Sequence, residues 1–169
     1  VHGQQQLAFA APPLQRSGPL DEADVALIAR GLGVDRKDIL HHAWCDNGPG
    51  WRSVMLSSAA QVLALTPDAA LLAGLDIGVI GAHPADHECA FEVRAFFPGN
   101  HGLVEDPVTG SLNAAMAKWL ILSRLAPDRY QVAQGTALAR AGRVQVSLQS
   151  ADIWIGGASV TCVAGYVSL

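Results

Sequence analysis

The run Leu112–Leu125, Leu-Asn-Ala-Ala-Met-Ala-Lys-Trp-Leu-Ile-Leu-Ser-Arg-Leu, constrains the fold more than any other stretch of the chain. It is rich in helix formers and holds no glycine or proline. Its apolar residues fall on nearly every face, which predicts a helix buried almost all round. Val104-Glu105-Asp106-Pro107-Val108-Thr109-Gly110-Ser111 leads into it. Ser111 is placed to cap the first turn by accepting a backbone hydrogen bond. The N-terminus of a buried helix presents unpaired N–H groups and a partial positive charge, and so can hold an anion. A carboxylic acid just upstream is then placed to act as acid or base beside a bound carboxylate.

The remaining elements read as many strands and a few smaller helices. Leu7–Ala11 predicts a strand closed by Pro12-Pro13. Asp21–Leu32 predicts a helix with acids in its first turn, an apolar stripe of Val25, Ile28, Ala29 and Leu32, and glycines at its end. Asp35 can cap one further short turn. Ile39–Cys45 and Trp51–Ser57 predict a hairpin about the turn Asp46-Asn47-Gly48-Pro49-Gly50. Thr66-Pro67 predicts a helix start, with that helix running to Gly74. Ile77–Ala82 and Cys89–Phe97 read as strands, with polar loops at 83–88 and 98–102. Beyond the buried helix come strands at Tyr130–Gln134, Arg143–Gln149 and Asp152–Ile155. Gly135–Ala139 is a strand or turn, Gly156-Gly157 a turn or bulge, and Ser159–Leu169 a final strand. The sum is an α+β chain: a curved, mostly antiparallel sheet wrapped around a central apolar helix.

Bulk properties narrow the function. Half of the 169 residues are hydrophobic and 15% are charged, so a folded domain is expected rather than disorder. A formal charge of −4 without a Lys/Arg cluster argues against nucleic acid as the main partner. No stretch reaches the ~18 apolar residues of a membrane span, and the first residues show no basic n-region followed by an apolar h-region. Cys45, Cys89 and Cys162 are far apart and odd in number, which signals neither a disulfide framework nor zinc and suits a cytoplasmic protein. Val at position 1, opening what reads as a strand under way, suggests one piece of a longer protein.

Each candidate constellation has an ordinary alternative. Glu105 and Asp106 are neighbours in an extended segment, so they point to opposite sides and cannot form a shared-proton dyad. One could be a turn acid and the other solvated. Thr109-Gly110-Ser111 is too short for a phosphate loop, and either starts a helix or cradles an anion through its backbone. His41, His42, Cys45 and Asp46, and again His83, Asp86, His87, Glu88 and Cys89, lack the spacing of metal ligands; no metal is expected. No dinucleotide fingerprint or nucleophile elbow occurs, so no dinucleotide site is expected.

The segment Arg94-Ala95-Phe96-Phe97-Pro98-Gly99 followed by Val104-Glu105-Asp106-Pro107-Val108-Thr109-Gly110-Ser111 resembles the signature of the PhzF-like (phenazine biosynthesis-like) isomerases, of the diaminopimelate epimerase-like superfamily. Tyr130–Gly135, Arg140–Val144, Ile153–Gly157 and Gly165–Leu169 follow in the expected order. The resemblance is close over 94–169 and looser over 7–93. It implies a two-lobed protein about twice this length, with the active site between lobes and this chain, 1–169, as the C-terminal lobe. It also implies that the last strand crosses into the other lobe.

The chemistry implied is a cofactor-independent proton shift on a small carboxylate-bearing substrate. The family's base is a glutamate of the N-terminal lobe, where a Gly-His-Pro substrate motif also lies; neither is matched here. What carries over is Asp106 as a catalytic carboxylate, the Ser111 hydroxyl toward the substrate, and the Thr109 and Gly110 backbone as part of the anion cradle. Thiol-based members of the superfamily place a cysteine where this chain has Thr109, so a two-cysteine racemase mechanism is not expected. Leu112-Asn113-Ala114 stands where the phenazine enzymes tend to have Ala-His, which separates this chain from the phenazine substrate. The expected partners are the N-terminal lobe, of the same protein or another chain, and further copies of itself. The alternatives are a non-catalytic binding or assembly module and a zinc hydrolase built on the His/Cys clusters.

Overall fold

The computed structural model describes residues 5–168. The expected opening at Val1 and the last residue of the expected final strand lie outside them. Nine strands form one curved, unclosed sheet: β1 (Gln5–Ala10), β2 (His41–Cys45), β3 (Trp51–Leu56), β4 (Ile77–Ala82), β5 (Phe91–Gly99), β6 (Gly102–Asp106), β7 (Arg129–Gln134), β8 (Gly142–Gln149) and β9 (Asp152–Ser159). Their order is β1-β9-β8-β7-β5-β4-β3-β2. Pairing is antiparallel except for β3 with β4 and β5 with β7. Among the described residues, three helices, α1 (Glu22–Leu32), α2 (Ala59–Ala64) and α3 (Gly110–Leu122), complete the fold. None is long and apolar enough to cross a membrane.

The pleat divides the apolar residues between two cores. On one face Ala43, Met55, Ile80, Val93, Val132, Val146 and Ile155 pack with Leu112, Met116 and Leu120 of α3. On the other, Val54, Val79 and Phe96 pack with Val25, Ile28 and Leu32 of α1 and Val62 of α2. α3 touches β9 near one end of the strand order and β2 at the other. Gly78 of β4 faces α3, where Leu112 and Met116 fill the space a Cβ would need.

α1 follows its predicted stripe, and Gly33 ends it at φ 72° with N–H bonds back to the last turn. A single 3₁₀ turn at Arg36–Asp38 follows Asp35. Several expectations need correction. The segment 66–74 is a series of turns rather than a helix. The Asp68 N–H bonds to Gly31 O, its carboxylate accepts from Ala70 and Leu71, and Leu72 is drawn into the second core against Gly31. The helix of this region is α2, capped by Ser58, whose Oγ accepts from Gln61 N at 3.2 Å. The loop expected at 98–102 shrinks to Asn100–His101, because β5 runs on through Gly99 and β6 begins at Gly102, at φ 118°.

The final strand is β9, which runs unbroken through Gly156 and Gly157. The missing side chain of Gly156 lets Ala8 of β1 come close. Residues 160–168 find no partner strand among the described residues and form no regular structure. α3 ends at Leu122 rather than Leu125, with Arg124 at φ 56° and Leu125 N bonded to Leu120 O. It is buried along most of its length, but Lys118 and Trp119 are only half-buried and Leu122 is 78% exposed. These three lie close together, near the C-terminal end of the helix.

Candidate functional site

The geometry of the site begins in the way two strands share one edge of β5. β7 runs parallel to β5 and pairs with Phe91–Val93; β6 runs antiparallel and pairs with Ala95–Gly99. Their C-terminal ends therefore meet head to head at Arg94. Asp106 closes β6 opposite Ala95, and Gln134 closes β7 opposite Val93. Cross-strand partners share a face, so Asp106 and Gln134 both point to the α3 side, where Val93 and Ala95 are core residues. The three residues Pro107–Thr109 then turn into α3.

A polar network fills this fork. The Gln134 side chain is 0% exposed. Its Oε1 accepts from Thr109 N at 3.1 Å and from Asn113 Nδ2 at 2.8 Å. Its Nε2 donates to Asp106 O at 3.0 Å and to Thr109 Oγ1 at 2.9 Å. Thr109 Oγ1 donates to Asp106 Oδ2 at 2.8 Å. Asn113 Nδ2 also donates to Thr109 O at 2.8 Å. Asp106 is half-buried, and its Oδ1 has no partner among the described residues.

Two glycines make room for the turn. Gly135 sits at φ 86°, where a Cβ would lie 2.6 Å from Pro107 O. A Cβ on Gly142 would lie 2.6 Å from Gln134 O and strike Val108. Side chains at either place would push the 107–109 turn out of the fork.

The sequence-predicted residues are thus brought together, with different tasks from some of those expected. Thr109, not Ser111, is the residue before the first turn of α3, and no side chain caps it. Ser111 lies inside that turn, where its Oγ accepts from the Trp51 indole at 3.1 Å and its carbonyl accepts from Asn47 Nδ2 at 2.9 Å. The Thr109 N–H belongs to Gln134, so it cannot also hold an anion. The N–H groups of Gly110, Ser111 and Leu112 donate no bond among the described residues, as the first turn of a helix requires. The Ser111 hydroxyl proton likewise has no acceptor there. Sequence reasoning missed Gln134 and Asn113; both are polar residues inside otherwise apolar elements, which is the signal that marks them.

Glu105 points away from this face. It pairs opposite Phe96, and Arg94 lies diagonally across from it on the same side. Arg94 Nε and Nη2 meet the two Glu105 oxygens at 2.9 and 2.7 Å. Arg94 Nη1 donates to Val62 O and Leu65 O, at 3.2 and 2.8 Å, at the C-terminal end of α2. Glu105 is therefore structural.

An open cavity of about 670 Å³ lies beside the start of α3. Leu7 and Phe9 of β1, Val108, Gly110, Arg143 and Gly157 line it; Asp106 does not. Its volume falls within the range of small-molecule sites. Elsewhere, the histidine clusters are engaged locally. His83 Nε2 meets Glu92 Oε2 at 3.1 Å and its ring stacks on His87 at 3.8 Å. His42 Nδ1 accepts from Leu20 N at 3.1 Å. Among the described residues, no three His, Cys, Asp or Glu side chains are placed to hold a metal ion. Burial pushes the Cys45 thiol up to about 12, which keeps it protonated and unreactive.

The chain spans about half the length of the curated relatives it matches. One is the antisense-enhancing sequence 1 protein of Schizosaccharomyces pombe, 31% identical over 71% of this chain and 44% of its own. Another is an uncharacterized isomerase of Escherichia coli O157:H7, 29% identical over 84% of this chain and 54% of its own. A Bacillus anthracis phenazine biosynthesis protein of the PhzF family superposes with a TM-score of 0.68 at 19% identity, covering 92% of this chain and 57% of that one. A predicted epimerase from Pseudomonas aeruginosa superposes with a TM-score of 0.67 at 17% identity, covering 94% and 59%. These two share the fold. The family model described as phenazine biosynthesis-like protein matches residues 2–165, nearly end to end, and the chain belongs to that PhzC-PhzF family.

Proposed function

We propose that this chain is the C-terminal lobe of a PhzF-like isomerase, its sheet curled around α3, which carries out a cofactor-independent proton shift on a small carboxylate-bearing substrate. The observation that carries the reading is Asp106, oriented by Thr109 and set at the foot of a helix whose first three N–H groups are free. In this reading the substrate carboxylate lies on the N–H groups of Gly110 and Ser111, with the Ser111 hydroxyl as a further donor. Thr109 contributes through its hydroxyl rather than its N–H. Asp106 exchanges a proton with the substrate carbon skeleton. The opposing base, a glutamate, comes from an N-terminal lobe of the same protein or of a partner chain. That lobe also closes over the cavity and excludes water, and the segment after β9, whose residues 160–168 have no partner strand among the described residues, crosses into it. The assembly is homo-oligomeric and cytoplasmic.

The names of the relatives support an isomerase, since several are called isomerases and one structural neighbour a predicted epimerase. A second reading, a binding or assembly module that keeps the cradle without proton chemistry, draws on the half-length match and on the exposed apolar residues Leu7, Phe9, Val163 and Val167. Deuterium wash-in separates the two. The full product of the open reading frame is incubated in D2O with small β,γ-unsaturated carboxylates such as but-3-enoate. Incorporation into the carbon skeleton that falls about 10²–10⁴-fold in Asp106→Asn supports the isomerase. Incorporation unchanged by that substitution removes Asp106 from the mechanism.

A further inference from the structure

The fully buried Gln134 uses every hydrogen-bonding position it has. An amide side chain offers two donors and two acceptor sites, and here two donors and two acceptors meet it. Its orientation is not a matter of choice between nitrogen and oxygen, because two backbone groups decide it. The Thr109 N–H can only donate, so it must face Oε1. The Asp106 carbonyl can only accept, so it must face Nε2. Asn113, only 2% exposed, adds its own donor to Oε1 and holds the amide from the α3 side.

The orientation propagates outward. Thr109 Oγ1 receives a proton from Gln134 Nε2 at 2.9 Å. A hydroxyl has a single proton of its own, and the group left to receive it is Asp106 Oδ2 at 2.8 Å. Oδ2 is thereby made an acceptor at all times. Any proton that Asp106 carries must sit on Oδ1, the oxygen without a partner among the described residues.

We propose that Gln134, seated by Asn113, is a positioning residue that locks the Thr109 hydroxyl as donor to Asp106 Oδ2 and so reserves Oδ1 for proton exchange with the substrate. This rests on the reading of Asp106 given under Proposed function. In the transfer, the Oδ1–H bond breaks as a C–H bond forms with the electron pair of the carbanion left by the opposing base. The carboxylate that remains gains negative charge, and the Thr109 hydrogen bond to it strengthens at that moment. Proton exchange with water then returns a proton to Oδ1 and takes one from the base.

Neutron diffraction from crystals of the perdeuterated protein tests the geometry without any substrate. The expected map places both deuterons on Gln134 Nε2, the Thr109 deuteron on the line to Asp106 Oδ2, and none on Oδ2. A deuteron on Oδ2, or a Thr109 deuteron aimed elsewhere, overturns the proposal. The functional arm uses but-3-enoate wash-in on the full protein. Thr109→Val keeps the side-chain shape and deletes the hydroxyl; kcat should fall on the order of 10²-fold with KM unchanged, and Thr109→Ser should restore it. Gln134→Glu, which turns the donor to Thr109 into an acceptor, should lower kcat in the same way. Loss of wash-in in Asp106→Asn with full kcat in both Thr109→Val and Gln134→Glu overturns the positioning role and leaves the isomerase standing. Full wash-in in Asp106→Asn overturns both.

Discussion

Glu105→Gln should weaken the fold without touching the proton chemistry. The Glu105 carboxylate is 12% exposed and faces a guanidinium that is 7% exposed, in a two-point pair at 2.9 and 2.7 Å. Removing one partner of a buried pair costs about 3–5 kcal/mol, because the other charge is left in a poor medium. Two features reduce that figure here. Glutamine still offers one oxygen, and Arg94 keeps its bonds to Val62 O and Leu65 O. A loss of about 2–3 kcal/mol is expected. For a chain of 169 residues this corresponds to a fall in Tm of about 4–12 °C. Urea unfolding followed by the fluorescence of the four tryptophans measures it directly. Replacing both partners, Arg94→Met with Glu105→Leu, should cost less than the sum of the single changes, since no charge is then stranded. A Glu105→Gln protein within about 0.5 kcal/mol of the native chain would refute the argument that this pair supports the β5–β6–α2 junction. So would a wash-in rate that falls with Glu105→Gln while stability holds.

Gly135→Ala should both destabilise the protein and reduce wash-in, because the left-handed backbone costs about 1–2 kcal/mol and the added Cβ would press on Pro107 O just before the site. Thermal unfolding and turnover read the two effects; a Gly135→Ala protein with native Tm and turnover would show that the turn has slack. Stability should also fall in mild acid. Burial first, and then the Arg36 charge, hold His42 below the ordinary imidazole value of 6.5. A group depressed in this way contributes stability that is complete above 6.5 and is lost as pH falls through the lower folded value, as the unfolded chain takes the proton first. Urea midpoints at pH 7.5 and 5.5 should differ by less in His42→Gln than in the native chain; an equal difference would count against it.

What could be read from the sequence follows the reach of each signal. The apolar run of α3, the stripe and terminal glycine of α1, and the turn signal between β2 and β3 are local patterns, and each survives in the structure within a few residues. The failures have non-local causes. Thr66-Pro67 carries a sound helix-start signal, but the burial of Leu72 against Gly31 and the bond from Asp68 to Gly31 O outweighed it. α2 did carry a signal, the Ser58-x-x-Gln61 pattern of a capping box, in a segment too short for periodicity to stand out. Gly156-Gly157 looks like a turn until β1 is laid beside it, when the absent Cβ of Gly156 gives Leu7 and Ala8 room and the strand runs on.

The site divides along the same line. Asp106 and the start of α3 were legible because the Glu-Asp-Pro-Val-Thr-Gly-Ser segment is contiguous. The alternation of an extended segment also puts Glu105 and Asp106 on opposite faces, but which of the two faces meets α3 depends on the pairing with β5. Gln134 was not legible as a functional partner, since 28 residues of chain separate it from Asp106 and only the fork on β5 brings the two strand ends together. The same fork explains why the later motifs accompany the first. Gly135 and Gly142 clear space for Pro107 and Val108, and Gln134 orients Thr109. A change in any one of them would be felt at the Asp106 carboxylate, so segments far apart in sequence are bound to one task by packing and hydrogen bonding rather than by shared contact with a ligand.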